Sequence, residues 1–144
     1  MNFVLDTNSF ALFMDRISEF KPLWDKFRSD PNVKIVVGGS KYNEEIIKCN
    51  RFFNFLNELK KTGKVFRADT QKVDSKACEI QAALPADCDD PHLIALLDVA
   101  HCYIFVSQDR RADEFIKGWK YSDGKKRHIY RYCSHGKLLK RYLK

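Results

Sequence analysis

DDPHLIALLDVAHCYIFVSQD, residues 89–109, carries two core elements and the break between them. Pro91 stands where a helix has its first residue, a position that has no use for the N–H proline lacks. Asp90 before it is a natural N-cap, and Leu93 to Ala100 continues as an apolar helix. Tyr103 to Val106 follows as a strand of the buried type. A helix feeding a buried strand is part of a βαβ pattern, and the flanking sequence supplies the rest.

Upstream, Asn2 to Leu5 is a short apolar run that reads as a first strand, closed by Asp6-Thr7-Asn8-Ser9, which is turn and helix-cap chemistry. Phe10, Phe13, Met14 and Ile17 recur at helical spacing, and a second helical patch follows Pro22 through Leu23, Trp24 and Phe27. Val33 to Val37 predicts a second strand; Gly38-Gly39-Ser40 closes it and caps one long helix running to about Lys61. Val65-Phe66 is a short strand, and Gln71 to Leu84 a weaker helix stopped by Pro85. Downstream, Asp109 to Trp119 reads as a helix, Ser122-Asp123-Gly124 as a turn, Ile129 to Tyr132 as a late strand and Lys137 to Leu143 as a short basic helix. Strands alternating with helices predict a three-layer α/β/α domain with a mostly parallel central sheet and right-handed crossovers.

With 144 residues, 44% of them hydrophobic, the chain suits one domain spanning 1–144. No stretch approaches the roughly 18 to 20 apolar residues of a membrane span, and MNFVLDTNSF lacks the basic and long apolar regions of a signal peptide, so the expected location is cytoplasmic, without a membrane partner. Five cysteines spaced 29, 10, 14 and 31 residues apart include no CxxC pair, which disfavours a zinc ribbon or a disulfide framework. They read as reduced, small buried hydrophobes. The net charge of +7 is uneven: residues 117–144, a basic C-terminal extension of the domain, sum to +9 and the remainder to −2. Such an extension suggests a polyanionic partner.

In an open parallel sheet, ligands bind outside the carboxyl ends of the strands. Asp6 directly follows the first strand, Asp109 follows Tyr103 to Val106 by three residues, and Asp90 stands at the mouth of a helix. Glu44 and Glu45 open the helix leaving the second strand, whose buried stripe runs through Tyr42, Ile46, Cys49, Phe53 and Leu56. At 100° per residue Glu45 lies about 60° from Tyr42 and Glu44 about 160°, so Glu45 borders the core side. Carboxylates converging there would repel by about 4 kcal/mol per pair 4 Å apart at an effective dielectric near 20. A divalent cation resolves this, and hard oxygen donors without a His or Cys cluster point to Mg²⁺ or Mn²⁺. Singly, each acid also reads as a cap or a solvated helix charge; four at one edge are harder to explain that way.

VLDTNSF at 4–10, KYNEEI at 41–46, DDPHLIALLDVA at 89–100 and FVSQD at 105–109 together resemble the motifs of the PIN-domain family, over residues 2 to about 116. The resemblance implies a metal-dependent endoribonuclease in which Asp6, Glu45, Asp90 and Asp109 bind Mg²⁺ or Mn²⁺, with Thr7, Asn8 and Ser107 as supporting polar groups. Asp90 is favoured over Asp89. The family often has a further acid two residues after the one matching Asp109; here Arg111 stands there, and Asp113 is the candidate substitute. The chemistry implied is hydrolysis of a phosphodiester in single-stranded RNA or tRNA by one or two metal ions. Small bacterial members are often toxins held by an antitoxin, and commonly dimers.

In the basic extension Lys125, Lys126, Arg127, Arg131, Lys137, Lys140 and Arg141 are candidates for tracking an RNA backbone. Tyr130, Tyr132 and Tyr142 would either stack on bases or pack the extension onto the sheet. His92 and His101 read as structural, and His128 and His135 make no metal motif. Two alternatives remain: a catalytically inactive PIN-like RNA-binding module, and a phosphoacceptor or phosphatase-like domain with Asp6 as nucleophile. The second fits less well, because Asn8 stands where a phosphatase would want a second Asp.

Overall fold

A computed structural model describes residues 2–85, 88 and 90–142, the side chains of Arg141 and Tyr142 excepted. Asp89, Leu143 of the expected last helix, and those two side chains lie outside the described residues.

The N-terminal apolar run forms β1 (Asn2–Leu5); Lys34–Val37 forms β2, Val65–Arg67 β3, Ile104–Val106 β4 and His128–Tyr130 β5. They lie in the order β3-β2-β1-β4-β5, every pair parallel. Parallel neighbours need crossovers, and helices supply them. α1 (Phe10–Met14) and α2 (Lys21–Ser29) join β1 to β2, and α3 (Ser40–Lys48) and α4 (Asn50–Lys61) join β2 to β3. α5 (Thr70–Ala83) and α6 (Pro91–Val99) cross to β4, α7 (Asp113–Gly118) precedes β5, and α8 (Lys137–Tyr142) comes last. The architecture is the expected three-layer α/β/α, with the sheet wholly parallel. Among the described residues no helix is long and apolar enough to cross a membrane.

Central β1 is buried on both faces, so Phe3, Val4 and Leu5 read as a continuous apolar run rather than an alternating one. An aromatic layer packs α1, α2 and α4 against it: Phe13 stacks on Trp24 at 4.5 Å and Phe10 on Phe52 at 3.8 Å, while Phe3 meets Phe27 edge-on at 5.7 Å. Every residue of α6 but Val99 is buried, the polar His92 and Asp98 included. Gly39 has φ +90°, and a Cβ there would lie 2.6 Å from Val73 Cγ1, so only glycine lets α3 start this close to α5. The Ser40 N–H and Oγ then donate to the Asp74 carboxylate at 2.8 and 2.5 Å, pinning the first turn of the helix that carries Glu45.

Three expectations need correction. The single helix to Lys61 is broken at Cys49, which has φ −106° and ψ 88°. Ile46 and Phe52 are both buried, yet six residues apart they would lie about 120° apart on one unbroken helix, which would instead line up Phe53, about 20° from Ile46; the break re-aims the second segment so that Phe52 faces the core. Phe52 therefore takes the core place expected of Phe53, which is 38% exposed. The helix expected from Asp109 begins only at Asp113, because the Asp109 carboxylate accepts the Arg111 N–H at 2.9 Å and holds an Asx turn. All five cysteines are free, but only Cys102 is fully buried; Cys78 and Cys133 are exposed.

Candidate active site at the carboxyl edge of the sheet

From β1 the chain winds outward one way through β2 and β3, then returns to place β4 on the other side of β1. The reversal makes the carboxyl ends of β1 and β4 the topological switch point of the sheet, the place where open α/β sheets bind ligands. The two strand exits are registered side by side, with Leu5 opposite Val106 and the Asp6 N–H donating to Val106 O at 2.9 Å.

Asp6, 5% exposed, is the innermost of the acids at this edge. Its Oδ2 accepts from Ser107 Oγ at 2.7 Å, and Ser107 Oγ in turn accepts the Asp109 N–H at 3.0 Å. Buried Ser9 accepts the Gln108 N–H at 3.2 Å, so the loops after β1 and β4 are stitched together. Burial raises the Asp6 carboxyl; the Ser107 bond and the Asn8 N–H work against this, and the negative charges of Asp90 and Asp109 reinforce it. The net displacement is upward.

Glu45 is where the helix geometry put it, half-buried, while Glu44 is exposed. Burial pushes its carboxyl up, but contacts from His92 and Thr7 outweigh this and leave it below the ordinary value. His92 Nε2 lies 2.7 Å from Glu45 Oε1, too oblique for a well-formed hydrogen bond, and Nδ1 has no hydrogen-bond partner among the described residues. Tyr42 donates from its hydroxyl to Leu5 O at 2.5 Å; burial, and then the charges of Asp6 and Glu45, hold its phenol well above its usual value. Asp90 occupies the N-cap position of α6 but makes no side-chain cap bond. Its charge acts on Asp6 instead.

Asp109 is drawn the other way. Arg111 Nε and Nη2 lie 2.7 and 2.5 Å from its Oδ2, and Asn8 Nδ2 is a longer 3.4 Å away. Arg111 above all holds this carboxyl below its ordinary value. Asp113, the candidate substitute ligand, is gripped through both oxygens by Arg131 at 2.8 and 2.6 Å and does not join Asp6. Among the described residues, no three His, Cys, Asp or Glu side chains are gathered closely enough to hold one metal ion. The structure thus brings Asp6, Thr7, Asn8, Glu45, Asp90, Ser107 and Asp109 to one edge without closing them into a cage.

Two of the basic residues expected to face RNA are interior. Arg127, 2% exposed, lies over the Tyr103 and Tyr121 rings at 4.7 and 4.1 Å and donates to Asp123 and to Leu97 O. Arg131, 6% exposed, donates to Ser107 O and Asp109 O besides Asp113. Both cations found acid partners within the fold, which charge counting along a sequence does not reveal. Lys125, Lys126, Lys137 and Lys140 are exposed. Tyr130 is fully buried, its hydroxyl donating to Glu19 O at 3.0 Å, so it packs rather than stacks on a base; the Tyr132 hydroxyl accepts from Arg110 Nη2 at 2.7 Å.

Sequence reasoning left His92 out of the site. Its signal was its place, two residues after Asp90 at the start of a wholly buried helix, where a polar side chain must find something to face. No family model matches the chain, and neither a curated protein nor a solved structure matches it.

Proposed function

We propose that this chain is a PIN-type, metal-dependent endoribonuclease that hydrolyses phosphodiester bonds of single-stranded RNA or tRNA. The observation that carries the reading is Asp6: a buried carboxylate at the switch point of a parallel sheet, hydrogen-bonded by Ser107 and under the negative charge of Asp90 and Asp109. A carboxylate burdened by neighbouring acids suits a cation partner.

The donors at this edge, Asp6, Glu45, Asp90 and Asp109, are all hard carboxylate oxygens, which fits Mg²⁺ or Mn²⁺. Asp6 and Asp90 would be the principal ligands, with Glu45 and Asp109 bordering them. Bound there, a divalent cation would supply an activated water and stabilisation of the leaving oxygen in an in-line displacement. The chain's own groups have distinct tasks. Ser107 fixes the Asp6 carboxylate; Thr7 and His92 hold Glu45; Asn8 borders Asp109. Exposed Lys125, Lys126, Lys137 and Lys140 of the basic extension give sequence-independent attraction to phosphates. The proposed setting is the cytoplasm, with RNA as partner, and with a protein antitoxin and a homodimer as further partners of a toxin-type enzyme.

A second reading, an inactive RNA-binding module of the same fold, draws support from the open acid set and from Arg111 seated on Asp109. One experiment separates them: purified protein with labelled single-stranded RNA and tRNA, in Mn²⁺ or EDTA, beside Asp6→Asn and Asp90→Asn. Cleavage that needs the metal and both acids is the expected result. Salt-sensitive binding without cleavage would replace the nuclease with the binding module.

A further inference from the structure

Among the described residues, the large hydrophobic side chains left exposed are Ile47, Phe53 and Phe66. Two of the three come together where α3 gives way to α4. Ile47, 61% exposed, and Phe53, 38% exposed, wall a surface hollow of about 210 Å³. The buried Ile46 and Leu56 form its floor, and Lys60 of α4 and Arg67 at the end of β3 stand on its rim. The break at Cys49 makes this hollow: it turns Phe52 inward onto Phe10 and leaves Phe53 at the surface beside Ile47. β3 is the outermost strand, so the sheet continues no further beyond Arg67. Apolar walls held in water cost free energy that a docked partner returns.

The rim sets the sign of that partner. Lys60 and Arg67 are both exposed, and no acid lines the hollow among the described residues. Arg67 Nη1 donates at a long 3.4 Å to Asn43 Oδ1, a neutral acceptor that leaves its charge uncompensated there. Glu58, the acid within α4, pairs with Lys61 instead. A second copy of this chain fits poorly: a two-fold contact through the hollow would set Lys60 and Arg67 against their own counterparts, and each copy carries a net charge of +7. A segment that surrounds one large apolar side chain with carboxylates answers both the walls and the rim.

We propose that this hollow docks an acidic segment of a partner protein, which seats a leucine- or phenylalanine-sized side chain between Ile47 and Phe53 and sets carboxylates against Lys60 and Arg67. The surface is distinct from the acids at the carboxyl edge, and the proposal does not rest on the nuclease reading.

The test titrates the intact, isotope-labelled protein with a short peptide holding one phenylalanine among glutamates, and with its counterpart in which lysines replace the glutamates, following backbone amides by nuclear magnetic resonance. The glutamate peptide is expected to shift the amides of Ile47, Phe53, Lys60 and Arg67, and the lysine peptide to leave them in place. Lys60→Glu combined with Arg67→Glu should weaken the glutamate peptide about tenfold, the scale of two exposed ion pairs turned into repulsions, and should bind the lysine peptide instead. Ile47→Ser should weaken the glutamate peptide without moving the unfolding midpoint, because that side chain is mostly in water. Unshifted amides around the hollow, equal affinity for the two peptides, or binding undiminished when serine replaces the phenylalanine overturns the proposal. Self-association in sedimentation that Ile47→Ser abolishes would give this face to a second copy and overturn it as well. None of these measurements involves RNA or metal, so their failure leaves the cleavage assay to decide the nuclease reading separately.

Discussion

Arg131→Ala distinguishes a structural arginine from an RNA-facing one. At 6% exposure, its guanidinium spans three groups that shape the turn after β4. Nε donates to Ser107 O at 3.0 Å, Nη2 to Asp109 O at 2.8 Å, and the two terminal nitrogens grip Asp113 at 2.8 and 2.6 Å. Alanine removes all of these together. Breaking one side of a buried ion pair costs about 3–5 kcal/mol. Asp113, at 24% exposure, regains part of its hydration, which places the loss near the lower end, at about 3 kcal/mol. With a urea m-value of about 2 kcal/mol/M, the unfolding midpoint should fall by about 1.5 M at unchanged slope. Arg131→Lys should recover only part of this, since an ammonium cannot reach a carboxylate and two carbonyls in one plane. A midpoint within about 0.3 M of wild type, the equivalent of well under 1 kcal/mol, with a shallower salt dependence of RNA binding, would refute the structural assignment.

Phe52→Ala should cost about 3–5 kcal/mol in urea unfolding, since Phe52 is buried and stacked on Phe10, whereas Phe53→Ala should stay below about 1 kcal/mol; the reverse ranking would restore the unbroken helix. In a thiol-labelling assay on native protein at pH 8, Cys78 and Cys133 should react quickly and Cys102 only on unfolding, because burial pushes its thiol up to about 12; rapid labelling of Cys102 would contradict its place beneath β1. For Asp6 the folded carboxyl lies above its unfolded value, by burial first and by Asp90 and Asp109 after it, so its contribution to stability is present in acid and lost as pH rises through the folded value. Metal-free Asp6→Asn should therefore melt above wild type at neutral pH, with the gap closing toward acid, and equal melting temperatures at neutral pH would mean that Asp6 carries no such burden.

The parallel sheet was legible because its signals are local: apolar runs closed by turn residues, Pro91 opening α6, and acids directly after strands. The placing of Glu45 over Glu44 needed only the first turns of α3, and there the helix is regular. What was illegible depends on partners distant in sequence. Nothing near Cys49 announces the break; it follows from Phe10 claiming Phe52 rather than Phe53. The burial of Arg127 and Arg131 follows from Asp123 and Asp113 folding back to meet them, and a run of basic residues looks the same whether its charges are spent inside or out. His92 was discounted as a core histidine, and it is buried, but against Glu45.

Several of the buried or half-buried acids in this fold are answered by cations. Asp98, 1% exposed, has Lys76 at 3.6 Å as well as the Ser122 N–H; Asp123 has Arg127 at 2.9 Å and is held well below the carboxylate range by it. Arg131 answers Asp113 and Arg111 answers Asp109. Asp98 and Asp123 lie toward the amino ends of the strands, where such pairing tethers the C-terminal extension to α6. At the carboxyl edge the pairing stops at Asp6, whose surroundings are Ser107, the Asn8 N–H, Asp90 and Asp109. Burying a carboxylate among like charges lowers stability, and elsewhere the fold meets that cost with the cations at Asp98, Asp109, Asp113 and Asp123. On the proposed nuclease reading, Asp6, at the switch point of the sheet, is where such a loss of stability would serve a partner outside the chain, and a hard divalent cation is the partner its donors suit.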